Sequence, residues 1–546
     1  MEIKDLTLKL VLVFSYIYLI CYFTIGNTNN NYQIIIMILS FVIIFSILLL
    51  QLDRCDSRKF LFVLGYGSIL IFLFYALVPI KSDGIHRFQD SLMYFVTAQS
   101  IYDTGHLAPT YLEWYNLLDS HMQWPILGIL TSSISLVSNL NLMIISQFVC
   151  PFLGFLAFIA CVMLCKKITN SMRIAILAGM LFSISAIAAW FYSIYHPQGL
   201  GVLFYIFIIY SLISLNQKHR IYSVICMFFI AALTFTHPFS SIYTSIVLLS
   251  LLLFQIMSQR IPGISQVSPH INIGLIITTI VVILGYNVFV PIVHGSIGLL
   301  KMAVTGSPFS LSLETKVSSI QSQNLYNLFI VSESLNKFIL LILGILPSVY
   351  FLVYGDNSKK VASSLMYINL CTITIGMVIL SLPLDRILLF CTPFISIYAA
   401  YMLYLLADND IFQIKKYKIM KFTIGIVIIL MLTVGVIGSN TQSCYFGSQS
   451  YFGDITAPFP NYFTPTDNEI FVGKWLQTYA IPDAYIGVES YTSAFYYAKW
   501  PRSQLDSYTE ENPFDYIIIQ KNSILNRLDL QRDSQILFDG HNVVLT

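Results

Sequence analysis

Two aspartates, four histidines and a late arginine are the residues of this chain best suited to chemistry, and most of them crowd into one stretch. Between Lys81 and Trp124 stand Asp83, His86, Arg87, Asp90 and His121, with Trp114 and Tyr115 among them, in a sequence otherwise poor in polar groups. On a helix, Asp83, His86, Arg87 and Asp90 fall at i, i+3, i+4 and i+7, which is one face. Asp83 closely follows a long apolar run, where an ionised carboxylate is costly unless it has a partner or a task. Partial desolvation at such a place raises a carboxyl pKa toward that of a useful base. The stretch therefore has the character of an active-site loop. Outside it, His196 and His237 each precede a proline at the expected outer end of a span. Arg386 follows Asp385 at the start of a late apolar run. The guanidinium fork suits phosphate, so Arg386 is the candidate anchor for an anionic group, with Lys301 and Lys337 as weaker helpers.

Each residue also has a plainer reading. Asp83 can pair with Lys81 or Arg87, and Asp90 can be an acid at a helix N-terminus favoured by the dipole. His86 can be a polar-face spacer, and His121 can make a hydrogen bond at the start of the following helix. His196 and His237 can serve to satisfy helix termini, and Arg386 can bridge to Asp385. Trp114, Tyr115 and Trp124 can stack on a sugar, but anchoring at the membrane interface is the expected role.

The elements that must hold these residues are membrane helices. Of 546 residues, 57% are hydrophobic and only 10% charged, far outside the range of soluble domains. Repeated apolar runs of about 16–23 residues indicate a polytopic helical membrane protein. The net charge of +2 decides nothing, and no basic stripe with interleaved aromatics supports nucleic-acid binding. Seven of the nine cysteines lie in apolar runs and act as small hydrophobes. Lys4 and Lys9 before an apolar stretch resemble a signal peptide, but without a convincing cleavage site the first helix is expected to be retained.

Thirteen spans are expected. Two, near 6–25 and 33–52, form an N-terminal hairpin within residues 1–59. The others lie near 60–80, 142–164, 174–195, 199–215, 221–236, 239–257, 273–293, 338–354, 361–381, 388–406 and 422–438. The apolar segment Trp124–Leu140 is the exception. If it spans, Lys166 and Lys167 fall outside and every later loop carries the wrong charge; as a surface or re-entrant helix it puts all the basic loops on the cytoplasmic side. This arrangement gathers the Lys81–Trp124 loop, both His-Pro corners, the 294–336 loop and Arg386 on the outer face. Residues 439–546 form the one sizeable soluble region. Thr466 and Glu469 make an N-cap and N3 pair before a short helix. Strand-like runs follow at 485–489, 516–520, 535–538 and 543–545. The expected fold is thus an all-α polytopic membrane protein with a small extracytoplasmic α/β tail.

With these features in place the chain resembles the GT-C superfamily, integral-membrane glycosyltransferases that use polyprenyl-phosphate-linked sugars. Four features carry the resemblance: acidic residues after a span at Asp83 and Asp90; Tyr102-Asp103-Thr104-Gly105-His106-Leu107, similar to the "A…I…TGH(L/I)xP" pattern; His121-Met122-Gln123-Trp124-Pro125, similar to an H-x-x-P start of a surface helix; and Asp385-Arg386 opening a span that runs into Pro393. The WWDxG signature of oligosaccharyltransferases is absent, as is the adjacent acidic pair of protein mannosyltransferases. The resemblance covers most of residues 60–546 in organisation but only short motifs in residues.

It implies a GT-C-like domain over residues 60–438 in the plasma membrane, with the N-terminus cytoplasmic. It implies a polyprenyl-phosphate sugar as donor and an extracytoplasmic glycan, lipid or protein as acceptor. Asp83 or Asp90 would be the base, with Arg386 near the lipid phosphate. A divalent ion (Mg or Mn) enters only if the two aspartates converge. The rival expectations are a transporter, which would show inverted repeats or paired interrupted spans, and a noncatalytic scaffold derived from such an enzyme. An interruption at Gly285-Tyr286-Asn287 would favour the transporter.

Overall fold

A computed structural model of the chain describes residues 10–11, 13–20, 36, 40, 43–44, 57–81, 89–106, 124–215, 219–260, 273–288, 323–380, 384–407, 486–488, 505–507, 516–520 and 542–545. Nearly all are helical. In chain order the helices are α1 (Ser57–Lys81), α2 (Gln89–Thr104), α3 (Ile126–Ser138), α4 (Leu142–Thr169), α5 (Met172–Ser183), α6 (Ala186–Ser193) and α7 (Pro197–Ser214). Then come α8 (His219–Thr234), α9 (Pro238–Arg260), α10 (Ile273–Val288), α11 (Gln323–Tyr354), α12 (Asn357–Leu380) and α13 (Leu384–Ala407). By length and composition, five helices among the described residues can cross a bilayer, and a sixth if the bent pair α5–α6 is one span. Large apolar side chains such as Phe62, Phe228, Val281 and Leu346 stand more than half exposed around the bundle. Water would not tolerate such a belt; lipid does. The protein is an integral membrane protein.

The helix ends follow local chemistry. Asn141 caps α4 by accepting the Met143 N–H at 2.8 Å, and Asn170 closes it in the left-handed region at φ 55. One expected span, near 174–195, is broken instead: α5 and α6 meet at a 66° bend. Ser185 causes the restart by capping α6 through the Ala188 N–H, 3.3 Å away. The break frees the Ser183 carbonyl, and the Tyr75 hydroxyl on α1 donates to it at 2.8 Å. By contrast, α10 runs without interruption through Gly285-Tyr286-Asn287. The segment after Trp124 is a 13-residue helix, as its sequence suggests, tied to α2 by Ser132 Oγ at 2.6 Å from the Ala98 carbonyl oxygen.

The core lies where α4 meets α1, α5 and α7, and where α13 meets α5, α11 and α12. Small residues set the approach. A side chain on Gly154 of α4 would strike the Tyr75 ring and the Tyr192 Cβ, and one on Gly201 of α7 would strike Ser240 of α9. Two contacts orient the bundle: Lys166 Nζ at the end of α4 sits 5.1 Å from the Phe60 ring centroid at the start of α1, and the Cys150 thiol near the start of α4 approaches the His196 carbonyl at 3.8 Å. The end of α1 that leads into Asp83 therefore shares the α4 start and the His196 corner, opposite Lys166.

In the C-terminal part, β1 (Ile486–Val488), β2 (Leu505–Ser507), β3 (Tyr516–Gln520) and β4 (Asn542–Leu545) form a sheet of order β2-β1-β3-β4. β1 pairs parallel with β2 and β3, and β4 antiparallel with β3 in the register Ile518 to Val544. The strand at 505–507 was not expected; the expected run at 535–538, the helix after Thr466 and the span near 422–438 lie outside the described residues, as does most of the N-terminal hairpin.

The packing makes a direct prediction. Gly154→Leu should destabilise the protein by about 1–3 kcal/mol through overpacking against Tyr75 and Tyr192, visible as a lower Tm in detergent, whereas Gly65→Leu, which meets nothing nearby, should leave Tm within a degree or two of wild type.

Candidate functional site

The two His-Pro corners come together. Proline forces the residue before it into extended backbone and is itself well placed as the first helical residue. His196, at φ −144 and ψ 133, is thus the N-cap of α7. Its Nδ1 accepts the Gln198 N–H at 3.1 Å. His237 repeats the device for α9: its Nδ1 accepts the Ser240 N–H at 3.3 Å and lies 3.2 Å from Ser240 Oγ. A ring nitrogen that accepts a backbone N–H carries no proton, so each neutral imidazole holds its hydrogen on Nε2 and is a donor there. Both rings are buried, 1% and 4% exposed, and they meet edge to face with centroids 5.4 Å apart.

From this pair a row of rings extends both ways. On one side Tyr94 of α2 packs edge-on against His196 at 5.5 Å. On the other, His237 meets Phe239 at 6.5 Å, and Phe239 meets Phe390 of α13 at 6.2 Å. Phe390 is seated further by Tyr243 at 4.6 Å and Tyr205 at 5.3 Å. Asp90 holds the position one turn before Tyr94 on α2, and Arg386 the position one turn before Phe390 on α13. Five rings therefore connect the helix of the candidate base with the helix of the candidate anchor. Asp83, His86, His121 and Lys301 lie outside the described residues.

Sequence reasoning missed Tyr94, Phe239 and Phe390. A usable signal existed: each of Tyr94 and Phe390 stands four residues after a charged candidate, on the same helical face. The role expected of Trp124 is corrected. It is 2% exposed and packs against Ile242 and Tyr286, so it is a buried plug rather than an interfacial anchor. A hydrogen bond from the Ile126 N–H to the Phe235 carbonyl at 3.5 Å fixes the start of α3 beside it.

The Thr-Gly-His motif also gains a physical account. Gly105 takes φ 74 and donates its N–H to the Ile101 carbonyl at 2.9 Å, a left-handed cap that ends α2. His106 Nδ1 then lies 2.9 Å from the Thr104 carbonyl oxygen, a bond in which the ring donates. Among the described residues no three His, Cys, Asp or Glu side chains converge as metal ligands.

No protein-family model and no curated protein matches the chain. Solved structures do. ArnT from Cupriavidus metallidurans, bound to undecaprenyl phosphate, superposes with a TM-score of 0.53 at 10% identity over 90% of this chain and 98% of its own. The Archaeoglobus fulgidus oligosaccharyltransferase tethered with an acceptor peptide gives 0.52 at 12% identity, over 83% of this chain and 69% of its own. The fold is GT-C. Within a GT-C fold the His196–His237 pair occupies two adjacent helix starts, where four backbone N–H groups per helix need acceptors.

Capping and ring contact can be separated by substitution. His196→Asn should keep the cap but lose the ring packing, His196→Phe should keep the packing and lose about 1 kcal/mol with the cap, and His196→Ala, which loses both, should have a lower Tm than either; thermal unfolding of the three purified variants checks this.

Proposed function

We propose that this protein is a membrane glycosyltransferase that moves a sugar from a polyprenyl-phosphate donor to an extracytoplasmic acceptor. The observation that supports this most is the ring row joining the α2 helix of Asp90 to the α13 helix of Arg386 at one end of the bundle. The GT-C fold supports the lipid-phosphate class, since ArnT was solved with undecaprenyl phosphate. In this reading a carboxylate, Asp83 or Asp90, takes the proton of the acceptor hydroxyl. The acceptor oxygen bonds to the anomeric carbon as the carbon–oxygen bond to the lipid phosphate breaks, inverting the centre. The departing phosphate is received by Arg386, with Lys301 as a second cation. His196 and His237, paired at the starts of α7 and α9, are the candidate contacts for phosphate or sugar oxygens at this end of the bundle. His86 and His121, both in the Lys81–Trp124 stretch, are further candidate substrate contacts. Donor lipid enters sideways from the bilayer, which accounts for chemistry at a helix end rather than in the tail.

The basic end, with Lys166, Lys167, Lys359 and Lys360, faces the cytoplasm in this reading by the positive-inside rule. The histidine end, the Lys81–Trp124 loop and the C-terminal sheet then lie outside the plasma membrane, and the remaining expected spans complete thirteen. If Asp83 and Asp90 share a divalent ion, they would hold it through carboxylate oxygens; EDTA would then abolish transfer, and Mg2+ or Mn2+ would restore it.

The test is sugar transfer from radiolabelled polyprenyl-phosphate sugars by the purified protein. One of Asp83→Asn or Asp90→Asn should lower turnover by about 100-fold or more while leaving donor binding intact. Arg386→Ala should instead weaken donor binding by about tenfold or more. Equal transfer by wild type and all three variants would overturn the site.

A further inference from the structure

Below the ring row lies a buried polar latch that the proposed chemistry does not use. Asn369 on α12 is fully buried. Its Nδ2 donates to the Leu365 carbonyl at 2.6 Å, and because that oxygen can only accept, the amide orientation is fixed. Oδ1 therefore faces the bundle and accepts from the Tyr243 hydroxyl of α9 at 2.6 Å. The Tyr205 hydroxyl of α7 lies between the two amide atoms, 3.4 Å from Oδ1 and 3.2 Å from Nδ2. One side chain thus ties three helices together and uses all of its hydrogen-bonding capacity.

What the latch holds is Phe390. The rings of Tyr243 and Tyr205 form the bed on which it sits, at 4.6 and 5.3 Å. Phe390 stands one turn after Arg386, and three residues later comes Pro393 inside α13. A proline within a helix removes the bond to the carbonyl four residues earlier, here that of Leu389, and loosens the helix at that point. The first two turns of α13 are thereby partly uncoupled from the rest, and their placement depends on outside contacts. Phe390 on its tyrosine bed is such a contact.

We infer that Asn369, through Tyr205, Tyr243 and Phe390, is a positioning residue for Arg386, setting where the guanidinium meets the lipid phosphate. This rests on the reading of Arg386 as the phosphate anchor. Neither Asn369 nor the two tyrosines touches substrate in this account. Removing the latch should therefore change affinity for the lipid phosphate only while Arg386 is present.

The experiment measures undecaprenyl phosphate binding to the full-length protein in nanodiscs. Tyr243→Phe deletes one hydroxyl and keeps the ring; Asn369→Leu deletes the whole latch. Tyr398→Phe is the control, since it breaks comparable bonds to Ser363 Oγ at 2.8 Å and the Lys359 carbonyl at 3.0 Å on the far side of Pro393 in α13. The expected result is affinity about fivefold weaker in both latch variants, unchanged in the control, and no further loss when either is combined with Arg386→Ala. An equal loss in the Arg386→Ala background, an equal loss in Tyr398→Phe, or no loss in Tyr243→Phe while Arg386→Ala weakens binding, overturns the positioning role alone. If Arg386→Ala itself leaves affinity unchanged, the anchor reading falls and the positioning role with it.

Discussion

A polar atom inside a bilayer has no water to turn to, and nearly every local feature of this bundle answers that constraint. Serines and threonines within helices bond back to carbonyls one turn earlier, as Thr131 does to Leu127 at 2.8 Å. Tyr75 reaches across from α1 to donate its hydroxyl to the carbonyl that the bend at Ser183 releases. Asn369 and its two tyrosines close on one another. Irregular backbone at depth needs such a partner, and at the bend after Ser183 the partner is Tyr75.

The same constraint explains why histidine stands at the starts of α7 and α9. An N-cap needs an acceptor close to the backbone, which Ser, Asn or Asp would provide more compactly. Histidine accepts with one nitrogen and leaves a second, donating nitrogen on the far side of a flat ring. It therefore satisfies a helix terminus and offers a hydrogen bond elsewhere, while its faces and edges pack with Tyr94, Phe191 and Phe239.

Much of the helical frame was legible because it rests on apolar length and charge asymmetry, which are one-dimensional. The helix ends at Pro197, Pro238 and Leu384 are written in prolines and caps, and the strands at 516–520 and 542–545 in β-branched runs. What was not legible depends on which surfaces meet. The 66° bend needed both Ser185 and a tyrosine more than a hundred residues away, and no periodicity within 174–195 announces that partner. Trp124 looked like an interfacial anchor because a tryptophan before an apolar helix commonly is one; its burial is decided by Ile242 and Tyr286, from distant helices. Of the candidate site, topology put His196 and His237 on one face without pairing them, and the rings that continue the row are ordinary Tyr and Phe residues that composition alone leaves in the core.

The ring row has one more consequence. Where the dielectric is low, opposite charges attract strongly and pull the helices that carry them together unless something solid stands between. Aromatic rings in contact cannot be compressed. With His196, His237 and Phe239 seated between Tyr94 of α2 and Phe390 of α13, the separation of those two helices at this end of the bundle is set by ring thickness, like plates across a spacer.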